Sequence, residues 1–387
     1  MKSKMTNNQR LMNFLSNREI DRTPIWLLFP YHKVGYYADV RTNPQYKKIF
    51  EKSKECAVML NRRNLMIPVF SDAVLVQTSA DVQSADADTI TLRKTELSWN
   101  GNILIDEVSK KNGETVHKKM ICNDGDLEAF LSMPVETDQE AVTKKIDSLL
   151  PAYRAEKEEF PREYGAMMLA LGEPINELYH AAELSEYPVW SLTHNEQIRN
   201  YLDRAMSFYR IKYKYCLEND LADVYFLVGS EMASPPMVSR KTFQEWIVPY
   251  SRELCALVHS YGKNVITHYH GQIRDILPDF LDIGPDAIHT IEAPPVGNCT
   301  LKQAFDIVGD SIGLIGNIQY DCFRSYTPQE MHAAVKEVLE ETKGKRFMLS
   351  PSAGPYEHSI PEQMQENYLT FMETGVTHAH SYSGRFR

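Results

Sequence analysis

The chain has 387 residues, 43% of them hydrophobic and 24% charged, with a formal net charge of −10. That length and composition exclude a largely disordered chain and suit one large barrel or two medium domains. The acidic balance repels phosphate backbones and anionic lipid, so neither nucleic acid nor a membrane surface is an expected partner.

The opening, MKSKMTNNQRLMNFLSNREIDRTP, is polar and lacks the apolar core of a signal peptide. No apolar run approaches the roughly 20 residues of a membrane span, so a cytoplasmic protein is expected. Within this segment RLMNFL has helical spacing and predicts one or two short helices up to about residue 20. Pro24-Ile25-Trp26-Leu27-Leu28-Phe29 is a short apolar run closed by Pro30, a buried strand candidate. Residues 43–60 are expected to be helical. From about 73 to 122 strand-like runs are separated by Asn100-Gly101 and Asn112-Gly113. Asn-Gly favours the tight turns of β-hairpins, so an antiparallel β insertion is expected there. Charged, helix-favouring sequence follows from 126 to about 155.

From Gly165 a rhythm sets in. The apolar runs AMMLALGEP (166–174), DVYFLVGSE (223–231), NVITHYHG (264–271), DAIHTIEAPP (286–295), IGLIGNIQ (312–319) and RFMLSPSAG (346–354) alternate with helical stretches. Continuous apolar strands between helices predict a parallel sheet covered on both faces. With the early strand counted, the pattern favours a single (β/α)8 TIM barrel over 1–387, carrying an N-terminal helical segment and the β insertion. No G-x-G-x-x-G follows a strand, which argues against a dinucleotide-binding sheet.

In such barrels the chemistry sits at the C-terminal ends of the strands. That rule selects Glu231, His268, His270, Glu292, Asn317, Gln319 and the SPSAGPYEH segment. His268 and His270 share one face of a strand, because side chains at i and i+2 point the same way. Two imidazoles on one face can share a metal, with Glu231 or Glu292 as an oxygen ligand. The alternative is a pair of hydrogen-bonded pocket histidines without a metal. Glu231 is read as a ligand or general base, or else as a helix-capping carboxylate. Glu292, ahead of Pro294-Pro295, is read as catalytic or as a strand terminator. Asn317 and Gln319 are read as donors to a ligand or as supports for the strand end. Tyr31, His32 and Lys33 follow the first strand and either line the same pocket or form an exposed loop. His378 and His380 make a second H-x-H, read as a surface pair. The six cysteines (Cys56, Cys122, Cys216, Cys255, Cys299, Cys322) show no C-x-x-C spacing and are read as reduced and structural.

The stretch from SEMASPPMVSRKTFQEW through NVITHYHG and IEAPP to IGLIGNIQ resembles the uroporphyrinogen decarboxylase superfamily. More weakly, the likeness extends from about Pro24 to about Gly375, and the TELSWNGNILIDEV hairpins are similar to that family's early β insertion. The superfamily has a cofactor-free decarboxylase branch and a methyltransferase branch that works with a corrinoid protein and usually zinc. The decarboxylase carries R-Q-A-G-R after its first strand, to hold substrate carboxylates. Here that place reads Phe29-Pro30-Tyr31-His32-Lys33-Val34-Gly35, without arginine. A polycarboxylate needs cationic partners, so the resemblance leans away from decarboxylation. The methyltransferases often carry H-x-C-G and a later cysteine. Here the first is similar to His268-Tyr269-His270-Gly271, and the second falls near Ala353.

The resemblance therefore implies a corrinoid-dependent methyltransferase moving a methyl group from a small O-methyl or N-methyl donor to a corrinoid protein. Zn2+ would sit on Glu231, His268 and His270. Glu231, His268, Glu292 and Asn317 would be catalytic, with Gln319 and Tyr31 contacting the cofactor. Uroporphyrinogen decarboxylation and a non-catalytic corrinoid- or tetrapyrrole-binding barrel are the alternatives. Related barrels form dimers, which makes a homodimer the family expectation.

Overall fold

A computed structural model describes residues 5–83, 89–111 and 114–384. Among the described residues eleven strands fall into two sheets. The parallel sheet contains β1 (Met59–Asn64), β6 (Gly165–Ala170), β7 (Val224–Val228), β8 (Asn264–His268), β9 (Ala287–His289), β10 (Gly313–Ile318) and β11 (Phe347–Pro351), hydrogen-bonded in that order. β2 (Leu75–Gln83), β3 (Thr89–Trp99), β4 (Asn102–Lys111) and β5 (Glu114–Lys118) form an antiparallel meander between β1 and β6 in the chain. The parallel sheet is curled and flanked by helices. Its two outer strands face one segment: Ile25 bridges Leu349 of β11, and Trp26 bridges Val58 beside β1. The Trp26 amide donates to the Leu349 carbonyl at 2.9 Å, and the Val58 amide to the Ile25 carbonyl at 2.7 Å.

Alternation along the strands creates two apolar layers. Leu60, Met168, Phe226, Ile266, Ile315 and Met348 meet inside the curled sheet, together with Trp26. Their neighbours Met59, Met167, Leu227, Val265, Leu314 and Leu349 face outward and pack into the larger cluster under the helices. Burial on both faces explains why these strands read as unbroken apolar runs. Polar residues are left for the strand ends. At the N-terminal end of the strands the helix Asn7–Leu15 lies beneath the sheet, opened by a capping box between Thr6 and Gln9. Arg346 fastens it there, donating to the Phe14 carbonyl at 2.9 Å and to that of Ser311 at 3.0 Å.

Several expectations need correction. The helix expected over 43–60 runs only over Lys47–Cys56, and β1 begins three residues later. The run VMLNRRN is strand because Leu60 points inward while Asn61 and Arg63 find polar partners outside. The early strand at 24–29 is present only as the two bridges at Ile25 and Trp26. The insertion matches expectation in type: β3 and β4 pair from Trp99↔Asn102 outward. Asn100 and Gly101 both have positive φ, 48° and 79°, as the tight hairpin turn requires. Asn112-Gly113 lies outside the described residues. Gly101→Ala should cost about 1 kcal/mol, seen as a lower urea midpoint, because L side chains resist that conformation.

Candidate active site

On β1, β8 and β9 the inward row ends in a polar residue at the C-terminal rim. Arg62 follows Leu60, His268 follows Ile266, and His289 follows Ala287. With loop residues, Arg62 and His268 line a cavity of about 670 Å3 whose wall also includes Tyr36, Tyr37, Tyr179, Glu231, His270 and Ala353. The loop after β7 is placed by close packing. Gly229 has φ +101°, and a Cβ there would stand 2.5 Å from Asn176 Nδ2 and 2.6 Å from the Tyr179 hydroxyl. Next to it, the Ser230 hydroxyl donates to the buried Glu173 carboxylate at 2.6 Å. Glu231 is thereby held at the cavity wall. Its Oε2 is buried without a hydrogen-bond partner, and burial pushes its carboxyl up from the ordinary value.

Three histidines form a chain whose polarity can be worked out from one end. His289 is fully buried, and its Nε2 stands 2.9 Å from the Pro351 carbonyl. A carbonyl only accepts, so this nitrogen carries the proton. Burial takes the His289 pKa down to about 3, against the pull of that hydrogen bond, so the ring is neutral and its Nδ1 is bare. His268 Nδ1 lies 2.6 Å from His289 Nδ1 and must donate to it. Burial, reinforced by the charges of its neighbours, pushes the His268 pKa well below the ordinary value. Its Nε2 therefore carries a lone pair and accepts. His270 Nε2 faces it at 3.0 Å and donates.

The other end of the chain is anionic. Glu292 is buried, accepts from the Gly271 amide at 2.7 Å and lies 3.4 Å from His270 Nδ1. Burial alone would raise its carboxyl, but the bonds from His270 and Gly271 outweigh that and lower it. Conversely, burial disfavours charge on His270, yet Glu292 and Glu231 outweigh it and raise its pKa. Each partner thus favours the charged form of the other, and the exposed edge of His270 faces the cavity. Gln319 stands behind Glu292 and accepts from the Ser352 hydroxyl at 3.0 Å.

Not every expected residue joins this group. Asn317 is half-buried at the end of β10, opposite Ser350, away from the cavity lining. Tyr31 is displaced outward: its ring packs on Phe50 and Phe160, with the Arg41 guanidinium 4.3 Å from its centroid. His32 is likewise engaged, by Asn61 at 3.1 Å and Glu159 at 3.1 Å. The same segment reaches the cavity further on, through Tyr36 and Tyr37. His378 and His380 lie elsewhere, beside His332 and Glu340. Cys299 is buried, and Ala353 occupies the cavity wall where the resemblance looks for a thiol. His289, Arg62, Asn176 and Tyr179 were not singled out by sequence reasoning.

The donor set suits zinc in kind once His270 gives up its Nε2 proton: two imidazole nitrogens then converge, and a carboxylate oxygen without a partner lines the same cavity. His268 already holds the tautomer a metal needs. Among the described residues, however, no three His, Cys, Asp or Glu side chains stand close enough together to hold a metal ion. The two nitrogens fit; Glu231 would have to close on them.

The sequence matches the uroporphyrinogen decarboxylase (URO-D) family over residues 115–374, more than half of the chain. The chain belongs to the URO-D family. Among solved structures, a methyltransferase from Methanosarcina mazei shares the fold at TM-score 0.58 and 16% identity, covering 96% of this chain and 99% of that one. A D-psicose 3-epimerase from Clostridium cellulolyticum H10 overlaps at TM-score 0.32 and 10% identity over 61% of this chain and 82% of its own. That overlap is too slight to bear on the fold. No curated protein matches the sequence. No helix among the described residues is long and apolar enough to cross a membrane.

Proposed function

We propose that this URO-D family member is a methyltransferase that takes a methyl group from a small O-methyl or N-methyl donor and passes it to the corrinoid of a separate protein. The observation that carries the reading is the convergence of His268 Nε2 and His270 Nε2, 3.0 Å apart, in the cavity lined by Glu231 with its unpartnered Oε2. In the same reading the parallel sheet and the Ile25–Trp26 segment form a closed eight-stranded barrel, with this cavity at its mouth. Arg62 is the one arginine in the described lining of the cavity. A single guanidinium is a poor match for the many carboxylates of a porphyrinogen.

Methyl transfer breaks a carbon–oxygen or carbon–nitrogen bond, leaves the electron pair on the heteroatom, and forms a carbon–cobalt bond on the partner. Zinc, when held by His268, His270 and Glu231, supplies a Lewis acid for that heteroatom. The chain's own contribution is orientation. His289 fixes the His268 tautomer, Glu292 and Gln319 aim His270, and Ser230 with Glu173 holds the Glu231 loop. The tyrosines of the cavity shield the donor from water.

The test is an anaerobic assay with zinc-loaded protein, a Co(I) corrinoid protein and a panel of methoxy and N-methyl compounds. Formation of methyl-cobalt is followed by its absorption change. Methylation from at least one donor is expected. No transfer from any donor, together with conversion of uroporphyrinogen to coproporphyrinogen, would assign the chain to the decarboxylase branch instead.

A further inference from the structure

We infer that Arg62 is the anchor for a carboxylate on the methyl donor, so the site takes small methyl donors that carry an acid group; this rests on the methyl-transfer reading above. Arg62 occupies the inward position of β1 beyond Leu60 and lines both the main cavity and the narrow recess below it. Its Nε donates to Asn64 Oδ1 at 3.2 Å, and its guanidinium carbon sits 5.2 Å from the Phe226 ring centroid. Among the described residues no acidic side chain pairs with it. Its neighbour Arg63 shows the ordinary arrangement: turned outward, it pairs with Glu156 at 2.6 Å and donates to the Lys33 carbonyl at 2.8 Å.

An arginine cannot shed its proton, so the cavity keeps a permanent positive charge with donors to spare. The ligand chemistry that completes such a fork is a planar, bidentate anion. The position is also right for a donor that reaches the histidines. Phe226 borders both groups, its ring centroid 5.2 Å from the Arg62 guanidinium and 5.5 Å from the His268 ring centroid. Arg62 and His268 line the same cavity and the same narrow recess, so a small aromatic acid or N-methylated amino acid bound there meets both. Tyr36, Tyr37 and Tyr179 offer ring faces for the body of such a molecule. Both kinds of donor present the same carboxylate to Arg62.

The experiment is titration calorimetry on the full-length chain, with matched ligands that differ in the acid group. The three methoxybenzoates are compared with methoxybenzene, and glycine betaine with choline. Wild type, Arg62→Gln and Arg62→Lys are used, each verified as folded by circular dichroism. At least one acid is expected to bind wild type more tightly than its acid-free twin. Arg62→Gln should weaken the acid roughly 10- to 100-fold, the loss of a charge-assisted pair. It should leave the twin unchanged, and Arg62→Lys should restore part of the loss. A preference for methoxybenzoates or for betaine then names the donor family.

The inference is overturned if no acid binds, if acids bind no better than their twins, or if Arg62→Gln makes no difference. Methyl-transfer assays on the same pairs separate the two readings. Arg62-dependent binding without transfer from any donor would keep the anion site and overturn the methyltransferase. Equal transfer from acid and twin would do the reverse.

Discussion

Replacing His268 with alanine is expected to cut methyl transfer by about 100- to 1,000-fold, the scale for losing one group that stabilises developing charge. Zinc content, measured by elemental analysis, should fall with it. The more informative variant is one shell away. His289 is fully buried and outside the cavity lining, yet it alone accepts the His268 Nδ1 proton. In His289→Ala that acceptor is gone, and His268 is free to turn or to adopt the other tautomer. Loss of such an orienting partner costs about 10- to 100-fold in metal affinity or turnover. His289→Asn keeps an oxygen able to accept and should recover part of the loss. A structural role alone would not change the protonation pattern of the neighbouring ring. Nitrogen-15 NMR of His268 therefore decides the point: its Nδ1–H signal should persist in wild type and in His289→Asn and be lost in His289→Ala. An unchanged His268 signal in His289→Ala would remove the orienting role.

That chain also shows what the sequence could and could not disclose. His268 and His270 are visible in one dimension, since H-x-H-G closes an apolar run and a strand puts both rings on one side. Glu231 and Glu292 follow from the same rule about strand ends. His289 does not, because it sits in mid-run in DAIHTIEAPP, ahead of the strand end and without a second histidine at i+2. Its meaning comes from the β8–β9 register, which sets His289 directly beside His268. Pairing between strands is non-local, and nothing near residue 289 announces it. The β1 strand was missed for a related reason. Only its contacts show that Asn61 and Arg63 are satisfied outside, by His32 and Glu156, while Arg62 turns in. Read alone, Asn61-Arg62-Arg63-Asn64 is too polar to look like a core strand. Tyr31 went wrong in the opposite sense. It stands right after the first strand segment, but the chain turns outward there and comes back only at Tyr36 and Tyr37.

Where β6 meets the same β1 strand, Gly165→Ala should destabilise the fold by about 3 kcal/mol. Gly165 opens β6 and pairs with Met59 of β1. A Cβ at this position would stand 1.9 Å from the Met59 carbonyl oxygen, 2.7 Å from its carbon and 2.8 Å from its nitrogen. All three are backbone atoms, so no side chain can rotate away and the strands themselves must part. The Gly165 carbonyl also accepts from Asn8 Nδ2 at 2.6 Å, which ties the N-terminal helix to this point. Parting β6 from β1 would therefore loosen both the lower end of the sheet and the register that leads up to Arg62, opposite Met168. Gly313→Ala is the matched control. Its Cβ would meet the Phe14 ring at 2.6 Å, a side chain that can tilt, and the expected cost is about 1 kcal/mol. Urea unfolding reads both, as midpoint shifts at constant slope. If Gly165→Ala proves no worse than Gly313→Ala, the β1–β6 contact yields easily. The position of Arg62 must then be fixed by the cavity residues around it and not by the strand pair.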